Sequence, residues 1–187
     1  MNIFDLFDSV YRLPPTEKKA LQELIRLERY EKEEIVQQIH NTCRTLYFIE
    51  EGAARIFYYK DGQDITEHFS FSGDLIVRAE SLFTGQPSPK GIQALIPSRI
   101  LAISAVDLFS LYDRFHKIER LFRLIFEREY VASIRRVESL QLKTATERYE
   151  ELLNQANTIQ YIPLKHIATY LGITPVSLSR IRASLNS

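Results

Sequence analysis

PLKHIATYLGITPVSLSRIRASL, residues 163–185, reads as two short helices around a tight turn. Pro163 can open a helix without losing a needed N–H, and Leu164, Ile167, Ala168 and Leu171 then fall on one face. Gly172 stops that helix, and Thr174-Pro175 restarts another, with Thr as cap and Pro at the first helical position. The second helix turns Val176, Leu178 and Ile181 partly inward and presents Ser177, Ser179, Arg180 and Arg182. This is the anatomy of a helix-turn-helix, whose second helix must stand clear enough to enter a major groove about 12 Å wide. Charge agrees locally. Lys plus Arg and Asp plus Glu each number 24 in the whole chain, yet from Asn154 onward Lys165, Arg180 and Arg182 face no acid, giving +3 (three cations, no acid, His166 neutral). Alone, Arg180 would read as a solvated surface charge. Six residues after the cap of a recognition helix it is placed to read a guanine, while Lys165 and the hydroxyls suit phosphates. The candidate DNA contacts are Lys165, Thr174, Pro175, Val176, Ser177, Ser179, Arg180 and Arg182.

Upstream, Leu121, Leu124, Ile125, Val131, Ile134, Val137 and Leu140 recur at helical spacing in a stretch without Gly or Pro from Ser98 to Lys143. A helix over 117–141 would be a rod of roughly 35 Å at about 1.5 Å per residue. Flanking Arg and Glu residues resemble the shoulders of a two-helix seam, so Leu121, Leu124, Ile125, Val131 and Ile134 are assigned to a dimer contact. The plainer alternative is that the helix packs only on its own sheet. A further helix from Thr144 to about Ala156 opens with Glu147 three residues after Thr144, a capping-box spacing. A break over 157–162 follows, in which only Tyr161 and Ile162 suggest a strand, so a wing beside the helix-turn-helix is expected to be reduced or absent.

From about Glu34 to Ser104 the pattern is different. Short apolar runs, TLYFIEEG, AARIFYYKDG, EHFSF, IQALI and RILAIS, are separated by Glu51-Gly52, Asp61-Gly62 and Ser72-Gly73. This spacing predicts antiparallel strands in a sandwich or roll, with Asp61-Gly62 as the sharpest hairpin signal. Before it, Pro14-Pro15-Thr16 starts a helix that Leu21, Leu24, Ile25 and Leu27 extend. The fold class is thus α+β: an N-terminal antiparallel β-roll or jelly roll, a long dimerisation helix and a C-terminal helix-turn-helix.

A hydrophobic content of 45% excludes the disordered classes. One cysteine, Cys43, excludes an intramolecular disulfide and a cysteine-held cluster. No stretch approaches the length of a membrane span, and the N-terminus has no basic signal region, so a cytoplasmic protein without membrane contact is expected. No Gly-rich phosphate loop, metal-spaced His cluster or nucleophile elbow is present, so no enzyme is expected.

The order of roll, long helix, short helix and helix-turn-helix resembles the Crp/Fnr family of bacterial regulators over nearly the whole chain. GDLIVRAESLFTGQPSPKGIQALIPSRILAIS and IATYLGITPVSLSRIR carry the resemblance. It implies a cyclic-nucleotide-binding-like sensor domain with N-terminal helices over 1–116, a dimerisation helix over 117–141 and a DNA-binding domain over 142–187. It also implies that Arg180 reads a guanine, that the partners are palindromic double-stranded DNA and a second copy of the chain, and that RNA polymerase is a candidate further partner. Val176 stands where many members carry a glutamate that reads cytosine, so the preferred operator should differ. The family's phosphate cassette, a glutamate for the ribose and an arginine for the cyclic phosphate, is degenerate in RAESLFTGQPSPKG. Glu80 lies one place off register and the arginine position falls on Ser88 or Pro89, with Lys90 as the nearby cation. Cyclic AMP is therefore disfavoured and no cofactor is predicted. His40, His68 and His116 are isolated candidates for a haem ligand. A pocket would be lined by Phe71, Leu75, Glu80, Phe83, Ser88 and Lys90, unless such aromatics simply fill the core. The rival reading is a protein-interaction or small-ligand-binding module that does not touch DNA.

Overall fold

A computed structural model describes residues 3–155 and 157–185. Helices α1 (Ile3–Val10) and α2 (Pro15–Gln22) lead into eight strands: β1 (Ile25–Tyr30), β2 (Ile35–Gln37), β3 (Thr45–Glu51), β4 (Ala53–Lys60), β5 (Gln63–Phe71), β6 (Leu75–Ile76), β7 (Gly91–Ala94) and β8 (Ser98–Ser104). A short helix, α3 (Ala79–Thr84), sits between β6 and β7. The strands form two four-stranded sheets, ordered β1-β8-β3-β6 and β2-β7-β4-β5, with antiparallel pairings throughout. Ile25 and Leu27 lie on β1 rather than extending the lead-in helix. Their pairing with Ile103 and Leu101 on β8 supplies backbone hydrogen bonds that outweigh a short helical pattern.

Period-two alternation explains why β3 and β8 read as continuous apolar runs. Tyr47 and Ile49, with Ile100 and Ala102, point between the sheets against Ala54, Ile56 and Ile92. Leu46, Phe48, Leu101 and Ile103 point the other way, beneath α1, α4 (Ala105–Tyr112) and α5 (His116–Leu142). A strand covered on both faces keeps apolar residues at every position. The Asp61-Gly62 hairpin forms as expected, with Lys60 opposite Gln63 and φ of 52° and 75° at the two turn residues, the left-handed pair that a tight turn between twisted strands requires. Gly52 joins β3 to β4 at φ 108°, and a Cβ there would lie 2.2 Å from Ser98 Oγ. The serine hydroxyl instead accepts the Ala53 N–H at 3.2 Å.

Helix α5, 27 residues long, changes environment along its length. Ile118, Leu121, Phe122 and Ile125 are buried in the core of their own chain, where the Phe122 ring lies 5.9 Å from Phe7 and 6.4 Å from Phe48. Leu121 and Ile125 are therefore spent on the roll and are not free for a dimer contact. Farther along the helix Val131, Ile134, Val137 and Leu140 stay exposed. Helix α6 (Ala145–Gln155) opens with the expected reciprocal cap: Thr144 N–H donates to Glu147 Oε2 at 2.7 Å, and Glu147 N–H donates to Thr144 Oγ1 at 3.3 Å. Its expected end, Ala156, lies outside the described residues. Tyr161 and Ile162 do not form a strand, because Asn157–Tyr161 is a turn of 3-10 helix that buries Ile159 and Ile162. Then come α7 (Leu164–Leu171) and α8 (Pro175–Leu185). No described helix is long and apolar enough to cross a membrane.

Phe122 joins α5 to α1 and β3, so Phe122→Ala should lower unfolding free energy by about 3–5 kcal/mol in urea titration. A loss under about 1 kcal/mol would show that this aromatic cluster does not hold α5 to the roll.

Candidate nucleic-acid interface and sensor cavity

The position of α8 follows from how α7 is seated. Ile167, Ala168, Tyr170 and Leu171 are buried against Phe69, Phe71 and Ala53 of the second sheet and Leu95 just after β7, and the Tyr170 ring centroid lies 4.8 Å from that of Phe69. The Thr66 N–H on β5 donates to Thr169 Oγ1 at 3.1 Å. From α5, Arg136 stacks 3.8 Å over the Tyr170 ring and donates to the Tyr170 carbonyl. From α6, Arg148 Nη2 donates to the Leu171 carbonyl at 2.8 Å, satisfying a carbonyl at the helix end. Gly172 then takes φ 71° with open space where a Cβ would be, so glycine is needed there for its backbone and not for room.

Helix α8 buries only Leu178 fully, against α7. Thr174 Oγ1 accepts the Ser177 N–H at 3.1 Å, the cap foreseen from the sequence. Val176 is 62% exposed, not half buried, because α7 covers only the opposite face of the helix. Thr174, Pro175, Ser179, Arg180 and Arg182 are exposed with it, Ser177 is half exposed, and Lys165 projects from α7. No salt bridge engages Lys165, Arg180 or Arg182 among the described residues. The structure thus places all eight candidate DNA contacts on α7, α8 and the turn between them, with the charge of Lys165 felt by Asp64 beneath α7.

Beneath α7 lies a polar cluster that the sequence did not reveal. Arg55 on β4, 2% exposed, makes two hydrogen bonds to Asp64 at 2.6 and 2.7 Å, one to Thr66 Oγ1 at 3.0 Å and one to Gln93 Oε1 at 2.8 Å. Burial raises the Asp64 carboxyl, but the Arg55 bonds and charge outweigh it and the net shift is downward. His166 on α7 is buried beside them, its Nδ1 4.0 Å from Asp64 Oδ2 and without a hydrogen bond. Burial, followed by repulsion from Arg55, pushes His166 from 6.5 down to about 4, and Asp64 offsets this only partly.

Between the roll and the middle of α5 is a cavity of about 540 Å³. Leu75 and Phe83 line it as expected, and the Phe83 ring packs at 5.2 Å against Phe126 of α5. The other expected lining residues do not. Phe71 belongs to the α7 contact, Glu80 is on the exposed side of α3, and Ser88 and Lys90 lie behind the cavity wall. The polar groups that do line it are Glu67, His68, Glu129, Tyr130, Ser133 and Arg136. His68 is held at about 4, chiefly by burial. Glu129 is pushed up to about 7 by burial and then by the charge of Asp74. Sequence spacing had offered His68 only as an isolated histidine.

The cation nearest the cassette was also missed. Arg78, one residue before α3, is buried, with Nη1 3.5 Å from Glu67 Oε1 and Nε donating to Ser88 Oγ at 3.4 Å. Lys90 pairs with the other oxygen of Glu67. Both cations beside the cassette, Arg78 and Lys90, pair with Glu67, so a phosphate held there would have to displace that carboxylate.

Residues 27–115 match the model of the cyclic nucleotide-binding domain family. Several solved structures share the fold of almost the whole chain. FixK2 from Bradyrhizobium japonicum has a TM-score of 0.73 at 20% identity, over 87% of this chain and 84% of that one. A protein from Eubacterium rectale described as a putative transcriptional regulator of the Crp/Fnr family has 0.71 at 18%, over 100% and 88%. A CooA mutant from Carboxydothermus hydrogenoformans has 0.68 at 17%, over 100% and 84%. No curated protein matches in sequence. Residues 27–115 therefore have the cyclic nucleotide-binding domain fold. The arrangement of roll, long helix and helix-turn-helix is the Crp/Fnr fold.

His166 is neutral in the folded chain at neutral pH. Its contribution to stability is full above 6.5 and is lost as the pH falls from 6.5 towards 4, with His68 acting in the same direction. Urea titrations across that range should show a falling midpoint for the wild type and a flatter profile for His166→Gln. Parallel profiles would mean that His166 is solvated in the folded chain.

Proposed function

We propose that the chain is a sequence-specific, DNA-binding transcription regulator of the Crp/Fnr type, working as a homodimer in the cytoplasm and doing no catalysis. The observation that carries this reading is the exposed face of α8, where Arg180 and Arg182 stand free of acidic partners beside Ser177 and Ser179. Arg180 is the base-reading residue, and Lys165, Thr174 and Ser177 hold the backbone. Pro175, Val176, Ser179 and Arg182 complete the contact face, with Val176 offering an apolar surface to a thymine methyl. Residues 1–116 form the sensor, α5 the dimerisation helix and 142–187 the DNA-binding domain.

The dimer contact uses the outer half of α5. Leu124, Glu127, Arg128, Val131 and Arg135 line a shallow groove with Val10, and Ile134 stands exposed beside it. Val131 and Ile134 are both more than 40% exposed in the single chain, apolar side chains that pairing would cover. Two-fold pairing along it would put two α8 helices in successive major grooves, about 34 Å apart on a palindromic site. RNA polymerase would be a further partner of the bound dimer.

Selection from random duplex DNA at two salt concentrations, with and without cyclic AMP, tests this. The wild type should enrich a palindromic site regardless of cyclic AMP. Arg180→Ala should weaken binding by about 1–3 kcal/mol and relax preference at one guanine per half-site. If no site is enriched and the two proteins behave alike, the chain is a ligand- or protein-binding module instead.

A further inference from the structure

The cationic niche behind the sensor cavity is built from three parts of the roll. Arg78 comes from the end of the β6 segment, Ser88 and Lys90 from the loop before β7, and Glu67 from the middle of β5. The loop is fastened independently: Cys43 N–H donates to Ser81 Oγ at 2.9 Å, Ser88 N–H to the Asn41 carbonyl at 3.1 Å and Lys90 N–H to Ser88 Oγ at 3.1 Å. The Lys90 backbone is thus fixed apart from Glu67, and the Arg78 side chain has a second partner in Ser88 Oγ. Glu67, Val77 and Ala79 line the cavity, while Arg78, Ser88 and Lys90 do not. The Glu67 carboxylate stands between the cavity and the two cations.

We infer that Glu67 is an internal anion that determines what the sensor cavity accepts. It fills the niche that would otherwise receive an acidic group, and its own charge repels a phosphate entering from the cavity. The wild-type cavity, in which Ile56, Leu75, Ile76, Phe83 and Phe126 stand beside the polar Glu67, His68, Glu129 and Arg136, takes a mainly apolar ligand that carries no phosphate. With the carboxylate removed, Arg78 is left buried without its counter-charge, and a small oxyanion becomes the group best able to satisfy it. Glu67 is then a specificity-determining residue, and its loss converts the niche into an anion site.

Thermal unfolding of the full-length protein in phosphate, compared with chloride at equal ionic strength, tests this without DNA, so its failure would leave the DNA-binding reading standing. The wild type should unfold at the same temperature in both salts. Glu67→Ala should unfold earlier in chloride and regain about 3–6 °C in tens of millimolar phosphate, and Glu67→Ala/Arg78→Ala should show no such gain. Glu67→Gln, which keeps the shape and loses the charge, repeats the comparison if the alanine variant does not fold. Phosphate stabilisation of the wild type equal to that of the variants would overturn the inference. So would folded Glu67→Ala and Glu67→Gln proteins that are indifferent to phosphate.

Discussion

Seating α7 on strand β5 is the contact through which the roll fixes the position of α8. The outer face of the second sheet carries Phe69 and Phe71, which would be wet without α7. The same face carries Arg55, whose charge is buried among Asp64, Thr66 and Gln93. Covering the aromatics contributes roughly 1.5–3 kcal/mol per side chain. A buried ion pair contributes little net attraction, but removing one partner costs about 3–5 kcal/mol because the other charge is stranded. The aromatics thus supply the adhesion. The polar cluster, through the Thr66–Thr169 hydrogen bond and the Asp64–His166 proximity, gives α7 one register on the sheet.

Tyr170 is where three parts of the molecule meet. Its ring lies between Phe69 of the roll and Arg136 of the long helix, while its backbone belongs to the first helix of the helix-turn-helix. Arg136 also lines the sensor cavity, and its Nε is buried there without a hydrogen bond. A change in the cavity that draws on this guanidinium would act on α7 through one side chain. The long helix shows a similar division of labour, with its first half spent on the roll through Phe122 and its second half presenting Val131 and Ile134.

Much of this was legible in the sequence because it rests on local rules. The Gly172 turn, the Thr174 cap, the Thr144–Glu147 box and the Asp61-Gly62 hairpin each depend on a few neighbouring residues whose conformational preferences are strong. Where the reading failed, the deciding partner was distant in the chain. Leu121 and Ile125 follow the same helical periodicity as Val131 and Ile134, and only packing against the roll separates a core residue from an exposed one. Ile25 and Leu27 continue a helical pattern until β8 offers backbone partners. Arg78 was passed over because its meaning depends on Glu67, a residue of a different strand, and Arg55 because nothing local distinguishes a buried arginine from a surface one.

The central claim is that two α8 helices read the major groove as a two-fold pair. Methylation interference at guanine N7, on a site selected by the wild-type protein, tests it most directly, since N7 is presented only in the major groove. The account predicts blocked binding at symmetry-related guanines in two half-sites about 10–10.5 base pairs apart. Interference confined to one half-site would contradict the pairing, and binding indifferent to N7 methylation would contradict groove reading by Arg180.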